Sequence, residues 1–300
     1  MIKKFFKVII PSKIIEPIQA NIYERNKERY FYEKHGYQLN ITSPESFSQN
    51  IFYRKYHGNF EEMARYADKY IVRNFVEERV GKEYLIKLLG VYDHITLDDL
   101  KKLPKQFVIK TNHGTGEEHL HIVTNKAKVN LRWLAYKMNQ AVKKRLGNKG
   151  HEPFYNLIQP KILVEEYLKS ESITPEDYKF HCFKNKVFIQ VDSGRYVDHK
   201  RTIFDKNWVP VDMKLNSDYQ RIDDFPCPSN FEKMLEIANK LSQGFDYIRV
   251  DLYNIDGKIY FGELTQTHGN GLEDFKPTSV DFEWGQLWNL DKNNRHLYSK

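Results

Sequence analysis

Apolar residues recur along this chain at two spacings. In "NFEEMARYADKYIVRNFVEERVG", Met63, Tyr66, Ala67, Tyr70, Ile71, Phe75 and Val76 return every three or four positions, and Gly81 is a stop signal. One amphipathic helix is expected there. "NLRWLAYKMNQAVKKRLG", closed by Gly147, "NFEKMLEIANKLSQGF", and the short "LDDLKKLP" before Pro104 predict further helices. Strand patterns lie between them. "YLIKLLGVYDHI" predicts a buried strand or strand pair. Phe107 to Lys110 and "HLHIV" predict two strands around a loop. "KILVEEYL" predicts a strand, and "DYKFHCFKNKVFIQVD" a hairpin turning at Asn185. Residues 1–58 are basic, aromatic and broken at Pro11, Pro17 and Pro44, with no clear periodicity, and the chain ends in a polar, aromatic tail. There is no internal repeat. Helices and strands alternate, but hairpins are frequent, which predicts an α+β fold with antiparallel-rich sheets.

Acids interrupt the strand pattern in "IRVDLYNIDGKIYFGELTQTHGNG" (248–271), with Glu273 just beyond. "NIDG" is a turn signal. A three-residue loop Ile255–Asp256–Gly257 would set Tyr253 opposite Ile259, Asp251 opposite Phe261 and Arg249 opposite Glu263. Asp251 and Glu263 would then be diagonal neighbours on one face, about 7–8 Å apart at the backbone. A two-residue loop would place them on opposite faces. Two facing carboxylates repel unless a cation lies between them. Oxygen ligands suit Mg²⁺, which takes one or two carboxylates plus phosphate oxygens. The plain alternative is two unrelated surface acids.

Three other places could carry chemistry. Lys110 ends an apolar strand, and the loop His113, Gly114, Thr115, Gly116 follows, with glycines that free backbone N–H groups for phosphate oxygens. No Gly-Lys-Ser/Thr follows, so this is not a Walker loop, and a hairpin turn would look the same. Glu165 and Glu166 close an apolar strand and could accept from a ribose or amine; a solvated strand end is the alternative. His119 and His121, with His113 nearby, hold the spacing of some zinc sites, but no Cys or acid completes a set.

Composition narrows the class. The chain has 300 residues, 40% hydrophobic and 14% aromatic, enough for packed cores and against disorder. Cys182 and Cys227 form no pair motif, which suits a reducing cytoplasm. Net charge is +7. That could signal nucleic acid, but the basic residues are interleaved with 40 acids. No run of about 18 apolar residues predicts a membrane span. The start, "MIKKFFKVIIPSKIIEPI", lacks a cleavage site and is expected to be retained. It is either an ordinary first element or a helix on an anionic membrane surface with Lys3, Lys4 and Lys7 near the headgroups.

Taken in order, these pieces resemble the ATP-grasp superfamily, and "DYKFHCF" and "VDLYNIDGKIYFGELT" resemble its TupA-like branch, associated with bacterial surface polysaccharide and teichuronopeptide synthesis. The likeness covers about residues 60–277. It implies two α+β subdomains clasping a nucleotide: residues 59–160, then 161–300 with the metal site, after an extension over 1–58. It implies ATP and Mg²⁺ as cofactors and amide formation through an acyl phosphate. Lys110 would hold inner phosphates, Arg249 would stabilise the transferred phosphoryl group, and Asp251 and Glu263 would hold Mg²⁺. "ADKYIVRNFV" resembles the superfamily's Asp-Lys helix, which adds Lys69. The superfamily commonly has Asn two residues after the second acid; here Thr265 stands there, and a hydroxyl can still ligate the ion. On the acceptor side Arg195, Lys200 and Arg201 could grip the carboxylate of a uronic-acid sugar or an amino acid, or form an exposed basic loop. Lys179 could reach phosphate or carboxylate. A kinase or glycosyl transferase on the same fold, and a basic nucleic-acid-binding module, are the rival expectations.

Overall fold

The computed structural model describes residues 12–147, 151–169, 175–194 and 198–299. Lys3, Lys4, Lys7 and Arg195 lie outside them, so the membrane-surface expectation and one acceptor candidate do too.

Two sheets organise the molecule. The first contains β1 (Leu88–Tyr92), β2 (Phe107–Thr111), β3 (Leu120–Val123) and β4 (Ile162–Glu166) in the order β1-β4-β2-β3. Every neighbouring pair is antiparallel. Strand alternation sends Phe107, Ile109, Ile162 and Val164 to one face. There they pack with Leu100 of α5 (Leu97–Lys102) and Leu134 and Met138 of α6 (Leu131–Ala141). Lys110 and Glu165 take the other face. α6 ends well short of Gly147.

The second sheet contains β5 (Asp177–Phe183), β6 (Val187–Ser193), β7 (Lys200–Phe204), β9 (Tyr247–Ile255) and β10 (Lys258–Thr265) in the order β10-β9-β5-β6-β7. β8 (Lys214–Leu215) pairs separately with β11 (Phe275–Lys276). One face of the large sheet is apolar. Tyr178, Phe180, Ile189, Val191, Ile248, Val250 and Leu252 pack there against α4 (Val72–Arg79) and α7 (Phe231–Ser242). The other face is divided. At one end Phe183, Phe188 and Tyr247 pack with Phe47 and Ile51 of α2 (Phe47–His57) and with Trp284 of α8 (Ser279–Leu287). At the other end it carries charges.

Several expectations are corrected. Residues 12–58 are largely helical: α1 (Ser12–His35) runs through Pro17, and α2 is a structural part of the second sheet's core. Arg54 of α2 pairs with Asp246, donates to the Tyr247 carbonyl at 2.7 Å and stacks on Trp288 at 4.4 Å, all buried. The segment expected to form an extension thus contributes α2 to the second sheet's core. The single helix expected over 59–81 is two, α3 (Phe60–Ala67) and α4. The Asp68 carboxylate accepts from the Tyr70 and Ile71 amides, and the Lys69 amide donates to the Asn112 carbonyl, which breaks the helix. β4 lies past residue 160 yet pairs in the first sheet, so the division between sheets follows Glu166. "YLIKLLGVYDHI" makes one half-buried strand, because Lys82–Tyr84 form a short 3-10 turn ahead of it. The final tail supplies the buried rings Trp284, Trp288 and Tyr298. Among the described residues no helix is long and apolar enough to cross a membrane.

Candidate active site

The hairpin of β9 and β10 turns on two residues. Asp256 and Gly257 both have positive φ, 51° and 79°, the signature of a tight turn that matches strand twist. Ile255 pairs with Lys258, Tyr253 with Tyr260 and Leu252 with Phe261. That register alone would put Asp251 and Glu263 on opposite faces. A bulge at Gly262 inserts one residue, and Glu263 then pairs directly with Asp251, and Thr265 with Arg249. The two acids thus share a face, through a bulge rather than a three-residue loop, and as direct partners rather than diagonal ones.

Arg249 links them. Its Nε and Nη2 donate to the two Asp251 oxygens at 2.7 Å each, and Nη2 also donates to Glu263 Oε1 at 3.0 Å. The Thr265 hydroxyl donates to the same Glu263 oxygen at 3.1 Å. Burial pushes the Asp251 carboxyl up to about 6 against the pull of Arg249 and Lys179, with Glu263 adding to the rise. Burial acts the same way on Glu263, but Lys69, Arg249 and Lys179 prevail and bring it down to about 2. The Glu263 side chain is 39% exposed, so it is the open acid of the pair.

Charge continues across the sheet. Arg249 Nη1 donates to His268 Nδ1 at 2.6 Å, which leaves the proton on Nε2, facing Glu273 at 2.6 Å. Glu273 also accepts from Arg201 at 3.1 Å, and Arg201 pairs with Asp192 at 2.6 Å. Lys179 sits between Asp192 at 2.8 Å and Asp177 at 3.0 Å, directly across from Asp251 in the strand register. His181 bonds Tyr247 and Gln190, at 3.0 and 3.1 Å. Burial lowers the pKa of both His181 and His268, with Arg249 adding to the fall and Glu273 opposing it.

The first sheet supplies the opposing side. Lys110 pairs with Glu165 at 2.6 Å, and Arg73 of α4 approaches the same acid at 3.8 Å. Glu166 points the other way and is exposed, so the two acids cannot act together. In the glycine loop the His113 ring bonds the Lys144 carbonyl at 3.0 Å. Gly114 lies so close to the His119 ring that a Cβ would run into it. Thr115 and Gly116 are exposed, and Gly116 has φ 77°. Lys69 joins the two sheets: its Nζ donates to the Gly114 carbonyl at 3.0 Å and lies 3.8 Å from Glu263 Oε2.

The structure therefore gathers Lys69, the 113–116 loop, Arg249, Asp251, Glu263, Thr265 and Lys179, with the Lys110–Glu165 pair beside Lys69. Two acceptor candidates have charged partners within the fold. Arg201 is held by Asp192 and Glu273 and stacks on Tyr219 at 4.6 Å, so it is a link in the buried network. Lys200, one residue earlier on β7, takes the opposite face and pairs with Asp198 at 3.1 Å, so the two cannot close on one carboxylate. Arg73, Asp192, His268 and Glu273 went unpredicted in these roles. Alternation in "DYKFHCF" and "VFIQVDS" marks Asp192 beside Lys179, and Arg73 lies four residues after Lys69, in the first turn of α4.

Among the described residues no group of three or more His, Cys, Asp or Glu gathers as a metal centre. The two-acid pair fits a different kind of site. It offers hard oxygen donors, its inner acid is buried and driven toward protonation, and a cation, Arg249, already bridges it. Such a set suits Mg²⁺ when phosphate oxygens complete the shell.

A family model for TupA-like ATP-grasp proteins matches residues 49–289. The chain belongs to this family. Its fold is the ATP-grasp fold, built here from α-helices and antiparallel sheets. Solved structures with a similar fold include the D-alanine–D-alanine ligase of Bacillus anthracis complexed with ATP, at 14% identity and a TM-score of 0.43, covering 70% of this chain and 58% of that one. The L-amino acid ligase of Bacillus licheniformis gives 14% and 0.43, with 70% and 45% covered. The D-alanine–D-alanine ligase of Helicobacter pylori gives 13% and 0.40, with 75% and 61% covered. This chain spans less than two thirds of each. No curated protein matches by sequence.

Proposed function

We propose that this ATP-grasp protein is an ATP-dependent ligase that joins a carboxylate to an amine, the carboxylate belonging to a uronic-acid-containing cell-surface polysaccharide or its precursor. The observation that carries the proposal is Lys69, whose one ammonium holds the glycine loop and faces Glu263, so that phosphate-binding backbone and metal-binding acids meet at one point. ATP-grasp enzymes use ATP with Mg²⁺, and a Mg²⁺ ion held by Asp251, Glu263 and Thr265 would supply charge neutralisation at phosphoryl oxygens.

The chain's own groups do the rest. A substrate carboxylate oxygen attacks the terminal phosphorus of ATP, the bond to ADP breaks, and an acyl phosphate forms. An amine then attacks the acyl carbon; a C–N bond forms, phosphate leaves with one carboxylate oxygen, and the amine loses a proton. Lys110 and Lys69 neutralise phosphate charge, Arg249 stabilises the transferred phosphoryl group, and Glu263 would be a ligand of the ion. The 113–116 loop supplies backbone N–H groups and limits water at the acyl phosphate. His268, bonded to Arg249, orients the guanidinium.

Incubation with ATP, Mg²⁺, uronate sugars and a panel of amino acids, followed by ADP release and product mass, tests the proposal. ADP with an amide supports it. A phosphate ester would make the protein a kinase on the same fold, and no nucleotide turnover with any pair would refute both.

A further inference from the structure

The net charge is concentrated in one segment. Residues 97–147 hold eleven Lys and Arg against four Asp and Glu, a surplus equal to the whole chain's +7, while the rest is balanced at 36 of each. Three of those four acids are engaged: Asp98 pairs with Lys101, Asp99 caps α5 and Glu118 pairs with Lys144. Toward the end of the segment lies α6, with an outer face open to solvent. Trp133 is 49% exposed and Tyr136 65%, three residues apart, so they stand side by side on the helix. Arg132, Lys137 and Lys143 flank them, with Lys137 Nζ 5.3 Å from the centre of the Trp133 ring. The opposite side of α6 is committed to the first sheet's core through Leu134 and Met138.

We infer that this face is a docking platform for an acidic polysaccharide, whose sugar rings stack on Trp133 and Tyr136 while its carboxylates meet the flanking cations. The inference rests on the proposal that the carboxylate substrate is a uronate glycan, and extends it from one sugar to a polymer. Two observations favour a sugar chain. The face offers two isolated rings between cations, not the continuous apolar stripe that seats a helix in a bilayer. It also adjoins the candidate site: the carbonyl of Lys144 holds the His113 ring, Lys144 Nζ holds Glu118 at the loop's far end, and Trp133 touches His121. A polymer lying along α6 would reach the glycine loop.

The test measures polyglucuronate binding without nucleotide, by calorimetry, for wild type and Trp133→Ala/Tyr136→Ala. A neutral glucan, a single-stranded oligonucleotide and anionic phospholipid vesicles serve as comparisons. The double variant is expected to weaken polyglucuronate binding about tenfold, and Arg132→Gln/Lys143→Gln to flatten its salt dependence, with melting temperature and basal ATP hydrolysis unchanged. Equal binding by wild type and the ring variant, or tighter binding of oligonucleotide or vesicles than of polyglucuronate, overturns the inference. If ring-dependent polymer binding holds while no uronate releases ADP, the ligase proposal fails and the platform stands. If free uronate is turned over but the polymer does not bind, the platform alone fails.

Discussion

The two faces of the five-stranded sheet are made by the same strands and have opposite economies. On one, Phe180, Ile189, Val250 and Leu252 close against α4 and α7, and each side chain gains by leaving water. On the other, one residue along each strand, Lys179, Asp192, Arg249 and Asp251 are also buried but carry ionisable groups. Removing charges from water costs more than their mutual attraction readily returns. The apolar face holds the fold, and the charged face is tolerated because each ion is fixed by at least one opposite charge. Its one open member is Glu263. The contrast teaches that removing a side chain should cost folding on one face and turnover on the other.

The largest effect should come from the apolar face. Phe180→Ala removes a fully buried ring and should cost about 3–5 kcal/mol, read by denaturant unfolding. Next, Glu263→Gln keeps shape and removes the open charge, so ATP turnover should fall about 10²–10³-fold with little change in melting temperature; comparable losses of both would erase the distinction between faces. His268→Ala, which removes the group holding Arg249 without touching phosphate, should lower kcat about tenfold while leaving the KM for ATP nearly unchanged. Per pH unit, a gentler effect concerns Lys55, fully buried on α2 and bonded to the Tyr23 hydroxyl at 2.9 Å. Burial lowers its pKa from 10.5 to about 7, opposed by Glu152 and Glu24. The unfolded chain then binds the extra proton between pH 7 and 10.5, so stability should rise with pH in that window, by at most about 1.4 kcal/mol per unit. Lys55→Met should lose that slope, measured by urea unfolding at pH 7 and 9.

Much of this was legible in the sequence. The strand-and-hairpin pattern predicts the antiparallel α+β fold, and the hairpin expected over "DYKFHCFKNKVFIQVD" is the β5–β6 pair. Local pattern failed where tertiary contacts decide. Nothing local forecasts that the Asn112 carbonyl will break a helix at Asp68–Lys69, or that Phe47 and Ile51 will complete a core beside Trp284, more than two hundred residues away. The hairpin was read with the wrong loop and the right outcome, because the bulge at Gly262 undid the effect of the shorter turn. For Arg201 the sequence offers a carboxylate grip or an exposed basic loop, since only the fold brings Asp192 and Glu273 to it.

The most direct test of carboxylate activation at this site uses uronic acid labelled with ¹⁸O in its carboxyl group, supplied with ATP, Mg²⁺ and an accepted amine. The account predicts that released phosphate carries one ¹⁸O per turnover in wild type, and that Glu263→Gln releases labelled phosphate about 10²–10³-fold more slowly. Phosphate free of label, with both oxygens kept on the sugar, would contradict it.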